Sequence, residues 1–428
     1  MSREMKDSGI DWIGTMPENW EIGKIGDVYN VRTGNNQHVK FSKSGDRLFT
    51  FENITEFGTD PSSEKYTKLT DLCKQLSEVH DGDVVVIALS TRIGTVCVYR
   101  EEMGRCYASG GIIICRAKAN DNASFLRFWI ILLANTGYFK AVSTGGIIRR
   151  VSGRQMLNAP MLIVPLDEQN KIASFLETKH EQINKTKQKK NDLLEKLTKY
   201  KQTLISQTVL TGLDFGVRMK ESEIDWIREI PEHWEIESSG NLFTLSVEKN
   251  IDPNVTILST TRDYGLIPQK EYKKIAVNHV ASVNKENYDK LRVIHKGDFC
   301  LGMMSYRNGI DYSDYDGAVS KMYRVFRVSS DKINEKYYKY LFKTNKFIAK
   351  LGSCTSDARK GKVISYKQFE QIPLCVPPLE EQKRIADYLD KKCEAIDEVI
   401  EKTKESIQKL DEYKKTMIYQ VITGKMEI

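Results

Sequence analysis

Met5-Lys-Asp-Ser-Gly-Ile-Asp-Trp-Ile-Gly-Thr-Met-Pro-Glu-Asn-Trp-Glu-Ile22 returns, without a gap, as Met219-Lys-Glu-Ser-Glu-Ile-Asp-Trp-Ile-Arg-Glu-Ile-Pro-Glu-His-Trp-Glu-Ile236. Twelve of the eighteen positions are identical at an offset of 214, where average composition would give roughly one match. That offset is half of the 428 residues. A self-similarity of this length decides the architecture before any local propensity is consulted.

The register persists along the chain. His80-x-Gly82-Asp83 answers to His295-x-Gly297-Asp298, and Ser90-x-Arg92-x-Gly94 to Ser305-x-Arg307-x-Gly309. Val151-Ser152-x-x-Gln155 answers to Ile364-Ser365-x-x-Gln368, and Pro165-Leu-Asp-Glu-Gln169 to Pro378-Leu-Glu-Glu-Gln382. Leu197-x-x-Tyr200-Lys201-x-Thr203 answers to Leu410-x-x-Tyr413-Lys414-x-Thr416. Charge divides the same way: 29 Lys plus Arg against 25 Asp plus Glu in residues 1–214, and 36 against 33 in 215–428. The net +7 is mildly basic and favours polyanions over acidic partners. An apolar content of 40% is enough for packed cores. No apolar run approaches the ~20 residues of a membrane span, and the polar start is unlike a secretory leader. The expectation is a soluble, cytoplasmic protein with reduced thiols.

Each copy has two parts. The first ~165 residues mix short apolar runs, such as Val84-Val-Val-Ile-Ala-Leu89, with Gly and Asn turns, and read as a globular α/β domain. The second is a polar, Pro-free stretch bounded by Pro and acids at its start and Gly at its end, the signals of one long helix. In the second copy Ile396, Ile400, Thr403, Ile407, Leu410, Lys414, Met417 and Val421 alternate by four and three, an a/d seam. In the first, Ile183, Leu194, Leu197 and Leu204 keep the seam, while Lys187, Lys190 and Lys201 break it. A ~43-residue helix would run about 65 Å. So narrow a stripe needs a partner, and the natural one is its own copy, running antiparallel.

Two related, non-identical domains on a rigid spacer suit a ligand with two separated sites, and DNA is such a ligand. Base edges are read by Arg, Lys, Asn and Gln, so loops rich in these are the candidates. In the first domain they are Arg32, Asn35, Asn36, Gln37, His38 and Lys40, then Arg149, Arg150 and Arg154. In the second they are Arg262, Tyr264, Arg307, Asn308, Arg359, Lys360 and Lys362. Arg92 shares its position with Arg307, so a phosphate contact or a structural ion pair suits both better than base reading. Other repeated motifs read as structure. Ser152-x-x-Gln155 and Ser365-x-x-Gln368 fit capping boxes, Gly82-Asp83 and Gly297-Asp298 fit turns, and Trp12, Trp20, Trp226 and Trp234 fit packing anchors.

Catalytic motifs are missing from the sequence. There is no G-x-x-x-x-G-K-[ST], G-x-G-x-x-G after a strand, G-x-S-x-G, H-E-x-x-H or C-x-x-C.

The residues resemble the specificity (S) subunits of type I restriction–modification systems along nearly the whole chain. The carriers are Gly9-Ile10-Asp11-Trp12-Ile13-x-x-x-Pro17-x-x-Trp20 and its repeat at Glu223–Trp234, the two Pro-Leu-x-Glu-Gln motifs, and the closings Gln207-Thr-Val-Leu-Thr-Gly212 and Gln420-Val-Ile-Thr-Gly424. The resemblance implies a mixed α/β fold, with two globular target-recognition domains in pseudo-twofold arrangement joined by two long antiparallel helices forming a coiled coil. It places the first domain at 1–165, its spacer helix at 166–212, the second domain at 213–378 and its helix at 379–428. It implies that each domain reads half of a bipartite site in double-stranded DNA. The helices would set the spacing and dock two modification (methyltransferase) subunits, with restriction (translocase/nuclease) subunits joining. S-adenosylmethionine would belong to the modification subunit, leaving this chain without a cofactor, a metal or a catalytic residue. The helix interface would use Leu194, Leu197, Leu204, Ile396, Ile400, Ile407, Leu410 and Met417. Two alternatives stand beside this reading: a fused methyltransferase or nuclease, and a coiled-coil adaptor that binds no DNA.

Overall fold

The structure, a computed structural model, describes residues 3–34, 41–55, 58–59, 63–119, 121–146, 148–214, 216–261, 265–275, 285–302, 305–358 and 361–428. It divides into two compact units, Met1–Lys190 with Lys404–Ile428, and Asn191–Thr403.

In the first unit the repeated opening folds into a hairpin, Met5–Asp7 antiparallel to Thr15–Pro17 with Lys6 opposite Met16. Trp20 follows, fully buried, and its indole N–H donates to Glu168 at 3.0 Å. Glu168 also accepts from Arg3 at 2.6 Å and from Asn19 at 3.1 Å. The opening Trp and the Pro-Leu-x-Glu-Gln motif are thus two halves of one latch. Burial works to raise the Glu168 carboxyl, but the bonds from Arg3, Asn19 and Trp20 outweigh it and hold the group below its ordinary 4.5. A carboxylate held down in the folded state contributes stability that is present above its unfolded value and is lost as pH falls. Acid unfolding should therefore separate wild type from Glu168→Gln. The wild-type advantage, present near neutrality, should shrink progressively as pH falls below the ordinary 4.5; parallel curves for the two proteins would refute the latch.

The sheet of this unit has four antiparallel strands in the order Tyr29–Thr33, Ile112–Ala117, Val84–Ile87, Val96–Val98. Val84–Ile87 is buried at every position. Val84 and Val86 meet the helix Ala123–Asn135 through a core holding Phe125, Phe128 and Trp129. Val85 and Ile87 meet Phe49, Ile54 and Tyr99 on the other face. Burial on both faces is why the run carries no alternation of polar residues. Cys97 and Cys106 lie in this second cluster as free thiols, and burial pushes both up to about 12.

The second unit builds the same sheet in the same order, Phe243–Leu245, Arg324–Val328, Phe299–Leu301, Asp311–Tyr312. Its hairpin pairs Met219–Glu221 with Glu229–Pro231, and the Trp234 indole donates to Glu381 at 3.1 Å. Phe243 sits edge-on to Phe299 and Phe326, each at 5.5 Å, in an aromatic core. The units differ at the periphery. The first adds Tyr107–Ala108, Asp46–Phe49 and Lys65–Thr67, whereas the second adds the pairs Leu258–Thr261 with Gly265–Pro268 and Arg292–Ile294 with Gly317–Val319.

The structural readings of the repeated motifs hold. Ser152/Gln155 and Ser365/Gln368 form complete capping boxes. Asp83 accepts the His80 N–H at 2.8 Å and Asp298 the His295 N–H at 3.0 Å, closing the turns. Each aspartate also holds an arginine from the next strand, Arg116 at 2.6 Å and Arg327 at 3.1 Å. The motif glutamines are buried ties. Gln169 accepts the Asn122 N–H at 3.0 Å and donates to the Val164 carbonyl at 2.8 Å. Gln382 accepts the Asn334 N–H at 2.8 Å and donates to the Pro377 carbonyl at 2.7 Å. Asn122 and Asn334 in turn cap the following helices, so the start of each long helix is fastened to its domain.

The long helices are Leu166–Thr211, 46 residues or about 69 Å, and Leu379–Ile422, 44 residues. In the first unit Ile172, Leu176 and Ile183 share a core with Met417, Ile418, Val421 and Ile422, and Lys187 pairs with Asp411 at 2.5 Å. In the second, Val209 and Leu210 share a core with Ile385, Leu389 and Cys393, and Lys201 pairs with Asp397 at 2.6 Å. Within each unit the paired segments run antiparallel. Of the predicted seam, Leu194, Leu197, Leu204, Ile396 and Ile400 are half-buried in the second unit, as are Ile407 and Leu410 in the first, where Met417 is buried. Two of the lysines that interrupt the apolar pattern therefore meet acids, an arrangement that gives up stability and specifies register. Each helix ends on a left-handed glycine against a buried tryptophan. A Cβ on Gly424 (φ +71°) would lie 2.4 Å from Pro17 and 2.9 Å from Trp20. One on Gly212 (φ +78°) would lie 2.7 Å from Glu381 and 3.5 Å from Trp234. Among the described residues no helix is long and apolar enough to cross a membrane.

Candidate nucleic-acid interface

Among the described residues, several of the first unit's predicted readers lie around one end of its sheet. Tyr29–Thr33 carries Arg32 on the strand paired with Ile112–Ala117, and the chain then leaves the sheet at Gly34. A Cβ on Gly34 would lie 2.2 Å from the Ser109 carbonyl, so Gly34 itself is pressed against the turn that precedes Ile112. Asn35, Asn36, Gln37, His38 and Lys40, which follow in sequence, lie outside the described residues. The Arg150 guanidinium reaches the same turn and donates to the Gly110 carbonyl at 2.9 Å. Its backbone bridges Leu89 and Thr144, and the next residue, Val151, donates its N–H to Ala88 at 2.9 Å. Arg154 is exposed on the short helix Gly153–Leu157, whose first residue lies against Thr33.

Ser90 forms the corner between these pieces. It has φ +118°, and among the described residues it is the non-glycine with positive φ. Its N–H donates to the Arg149 carbonyl at 3.2 Å, and its hydroxyl accepts the Arg92 N–H at 3.0 Å. A backbone held in so sparse a region costs about 1–3 kcal/mol and persists only where its surroundings over-determine it. Arg92 and Arg149 differ in what they do. Arg92 donates to the Phe51 and Ile54 carbonyls, at 3.1 and 2.8 Å, and so braces a neighbouring loop. Arg149 is exposed beside Ile148, and its side chain donates to the Lys140 carbonyl at 2.6 Å. Ser90 was not among the predicted residues; its place in the Ser-x-Arg-x-Gly repeat was the one signal for it.

In the second unit three elements meet around an ion pair whose carboxylate is buried. Lys343 donates to Asp311 at 2.6 Å and to the Asn308 carbonyl at 3.0 Å. Burial pushes the Asp311 carboxyl up in spite of that ammonium. Arg307, exposed on Ser305–Asn308, lies over the Tyr306 ring at 5.2 Å. Helix Asn345–Ser353 runs alongside Ser305–Asn308 and leads into the hairpin Ser356–Ala358 with Gly361–Val363. The backbone of Lys362 there pairs with Asp357, while Arg359 and Lys360 lie outside the described residues. Gly265 approaches Asp311 from the hairpin Leu258–Thr261 with Gly265–Pro268; Arg262 and Tyr264 lie outside the described residues. Trp20 and Trp234 are buried and Trp12 and Trp226 pack on Trp129 and Phe347, so the four tryptophans act as anchors.

The same four-stranded framework sheet thus recurs in each unit with unlike peripheral elements. That is the construction of a two-module recognition protein whose modules bind different versions of one kind of ligand. The model of the type I restriction modification DNA specificity domain matches residues 17–196 and again 228–410, and the chain belongs to this family. It is a type I restriction–modification specificity subunit with two recognition domains. The type I restriction enzyme MjaVIII specificity subunit of Methanocaldococcus jannaschii is 23% identical, over 96% of this chain and 94% of its own length. Another protein of that organism, named for an MjaX specificity subunit, is 23% identical over 97% of this chain and 96% of its own. The fold is shared with a solved structure described as the structural basis underlying complex assembly and conformational transition of the type I R-M system. The two are 14% identical with a TM-score of 0.69, covering 96% of this chain and 99% of that one.

Proposed function

We propose that each unit reads one half of a bipartite DNA sequence and that the paired helices set the separation of the two halves and dock modification (methyltransferase) subunits. Restriction subunits join that assembly, and this chain supplies recognition and docking without chemistry of its own. The observation that carries the reading is the duplicated sheet with diverged ends: common strands, different readers. In the first unit Arg32, Arg92, Arg149, Arg150 and Arg154 and the loop Asn35–Lys40 face the DNA, Arg92 through phosphate. In the second, Arg262, Tyr264, Arg307, Asn308, Arg359, Lys360 and Lys362 do so. The domain boundaries are those of the repeat, 1–165 and 213–378.

Mapping modified bases in DNA exposed to the chain with its methyltransferase partner tests this directly. A single discontinuous motif is expected; modification without one would reject it. The spacer role has its own test. One heptad added to each long helix lengthens it by about 10 Å, close to three base-pair steps. The modified motif should keep its two halves and change the gap between them. Altered half-site bases would show that the helices are not the ruler.

A further inference from the structure

Along the edge strand Tyr29–Thr33 the two units differ in charge at positions their common backbone matches one for one. Asn30 pairs with Arg116 as Thr244 pairs with Arg327. Two residues on, Arg32 lies opposite Ile114, and Ser246 takes the same place by donating its N–H to the Val325 carbonyl at 2.8 Å. Lys118 donates its N–H to the Val28 carbonyl at 2.9 Å, and Ser329 donates its own to Leu242 at 3.0 Å. Two cations of the first unit are thus hydroxyls in the second. Leu157 and Glu370 correspond as well: a Cβ on Gly26 would lie 2.9 Å from the Leu157 carbonyl oxygen, and one on Gly240 3.1 Å from that of Glu370.

In the first unit Arg32, Arg116, Lys118 and Leu157 line one cleft of about 490 Å³, with no carboxylate among its described lining residues. Arg116 is neutralised from behind, since both oxygens of Asp83 hold it, at 2.7 and 2.6 Å. Lys118 is exposed and donates to the Gly26 carbonyl at 2.6 Å, a neutral partner that leaves its charge in place. The Arg32 Nη2 is buried and has no hydrogen-bond partner among the described residues. A guanidinium nitrogen withdrawn from water and left unpaired is uncommon, and a counter-charge close by offsets its cost. In the second unit the hydroxyl that replaces Arg32 accepts from Arg327 at 3.2 Å, so an internal acceptor stands where the extra cation would be. The first cleft therefore holds two positive charges beyond its internal pair. The corresponding positions of the second carry neither and add Glu370.

A guanidinium and an ammonium beside an open, carboxylate-free cleft suit a phosphate oxygen anion. Two residues after Arg32 the chain reaches Gly34 and the predicted readers that follow it, so the anion offered there is the DNA backbone. Resting on the function proposed above, we infer that this cleft seats one backbone phosphate beside the first half-site, through Arg32 and Lys118, and that the second module has no such seat. The modules then differ in kind as well as in sequence. The first half-site is held in part by a charge contact that salt weakens, and the second does without it.

The test uses the full chain with its methyltransferase partner and a duplex bearing the motif that the complex modifies. Arg32→Ser with Lys118→Ser gives the first cleft the residues of the second at both positions. The slope of log affinity on log salt should flatten by about one, which makes affinity about eightfold lower at 0.1 M salt and nearly equal to wild type at 1 M. Base preferences in both half-sites should stay as they are. Replacing phosphates one at a time by neutral methylphosphonates should find one position beside the first half-site that weakens wild type by a similar factor and leaves the variant unaffected. Ser246→Ala with Ser329→Ala should change neither slope nor affinity. Should the serine pair not fold, Arg32→Gln with Lys118→Gln repeats the measurement with side chains of closer shape. An unchanged slope in a complex that still modifies its bipartite motif would overturn the inference alone. So would a variant whose preference shifts at one base, which would make Arg32 a reader of base edges. Inorganic phosphate that raises the melting temperature of wild type and not of the variant, with the DNA slope unchanged, would assign the cleft to a free anion and overturn it too. A wild-type complex that modifies no bipartite motif would overturn the proposed function and this inference together.

Discussion

Replacing Ile418 and Ile422 with alanine should unfold the first unit while leaving the second intact. Both residues are buried, 1% and 0% exposed, in the core that holds Trp20, Phe128 and Trp129. Truncating a buried isoleucine costs about 2–5 kcal/mol through lost transfer energy and the cavity left behind. Two such losses approach the 5–15 kcal/mol that typically holds a domain together. Amide exchange should accelerate through Val84–Val98 and Ala123–Asn135 and remain slow in Phe299–Leu301 and Arg324–Val328. Val209→Ala with Leu210→Ala should give the mirror result, because these residues close the core around Trp234 and Tyr337. Uniform protection in either variant would show that the helix ends are ornaments to cores complete without them.

Charge reversal at Arg149 should weaken binding to the first half-site by tenfold or more, with folding unchanged. The residue is exposed and its guanidinium is tied to the protein by a bond to the Lys140 carbonyl. Arg150 is a poorer probe, since its backbone bridges Leu89 and Thr144 and its side chain holds Gly110. Arg150→Glu should lose both affinity and melting temperature, Arg149→Glu affinity alone. If Arg149 contacts phosphate, the variant's dependence of affinity on salt should flatten by about one unit of slope. If it reads a base edge, discrimination among first half-site sequences should relax instead, by about 1–3 kcal/mol at one position. Unchanged binding across salt and sequence would remove it from the interface.

How much of this was visible in the residues varies with the kind of interaction. The repeat, the helix limits and the capping boxes were legible because each is local or exactly periodic: Ser365 and Gln368 are three residues apart and need nothing else. The latch was half legible. Trp20 and Glu168 each stand in a repeated motif, but their bond spans 148 residues and no local pattern announces it. Asp83 and Asp298 were seen as turn residues, while their arginines, on a strand about 30 residues later, were not. The seam lysines were read as interruptions because a stripe on one helix cannot display the acid opposite. The predicted readers came from composition, and composition cannot tell Arg92, engaged with two carbonyls, from Arg149, which faces outward. Ser90 shows the same limit in the backbone, since nothing in its type foretells a φ of +118°.

Because Met417–Ile422 complete a core begun by residues near Ile13, the first unit is also a problem of timing. A ribosome adding 5–20 residues per second needs roughly 10–50 s to pass from residue 190 to residue 422. Throughout that interval the nascent first domain presents the apolar groove its missing helix will fill. The second unit waits for nothing comparable, because Val209 and Leu210 are made before the sheet they seal. The chain should therefore mature in reverse order, second half first, and a chaperone that shields the early groove should raise the yield of active subunit more than one acting after release.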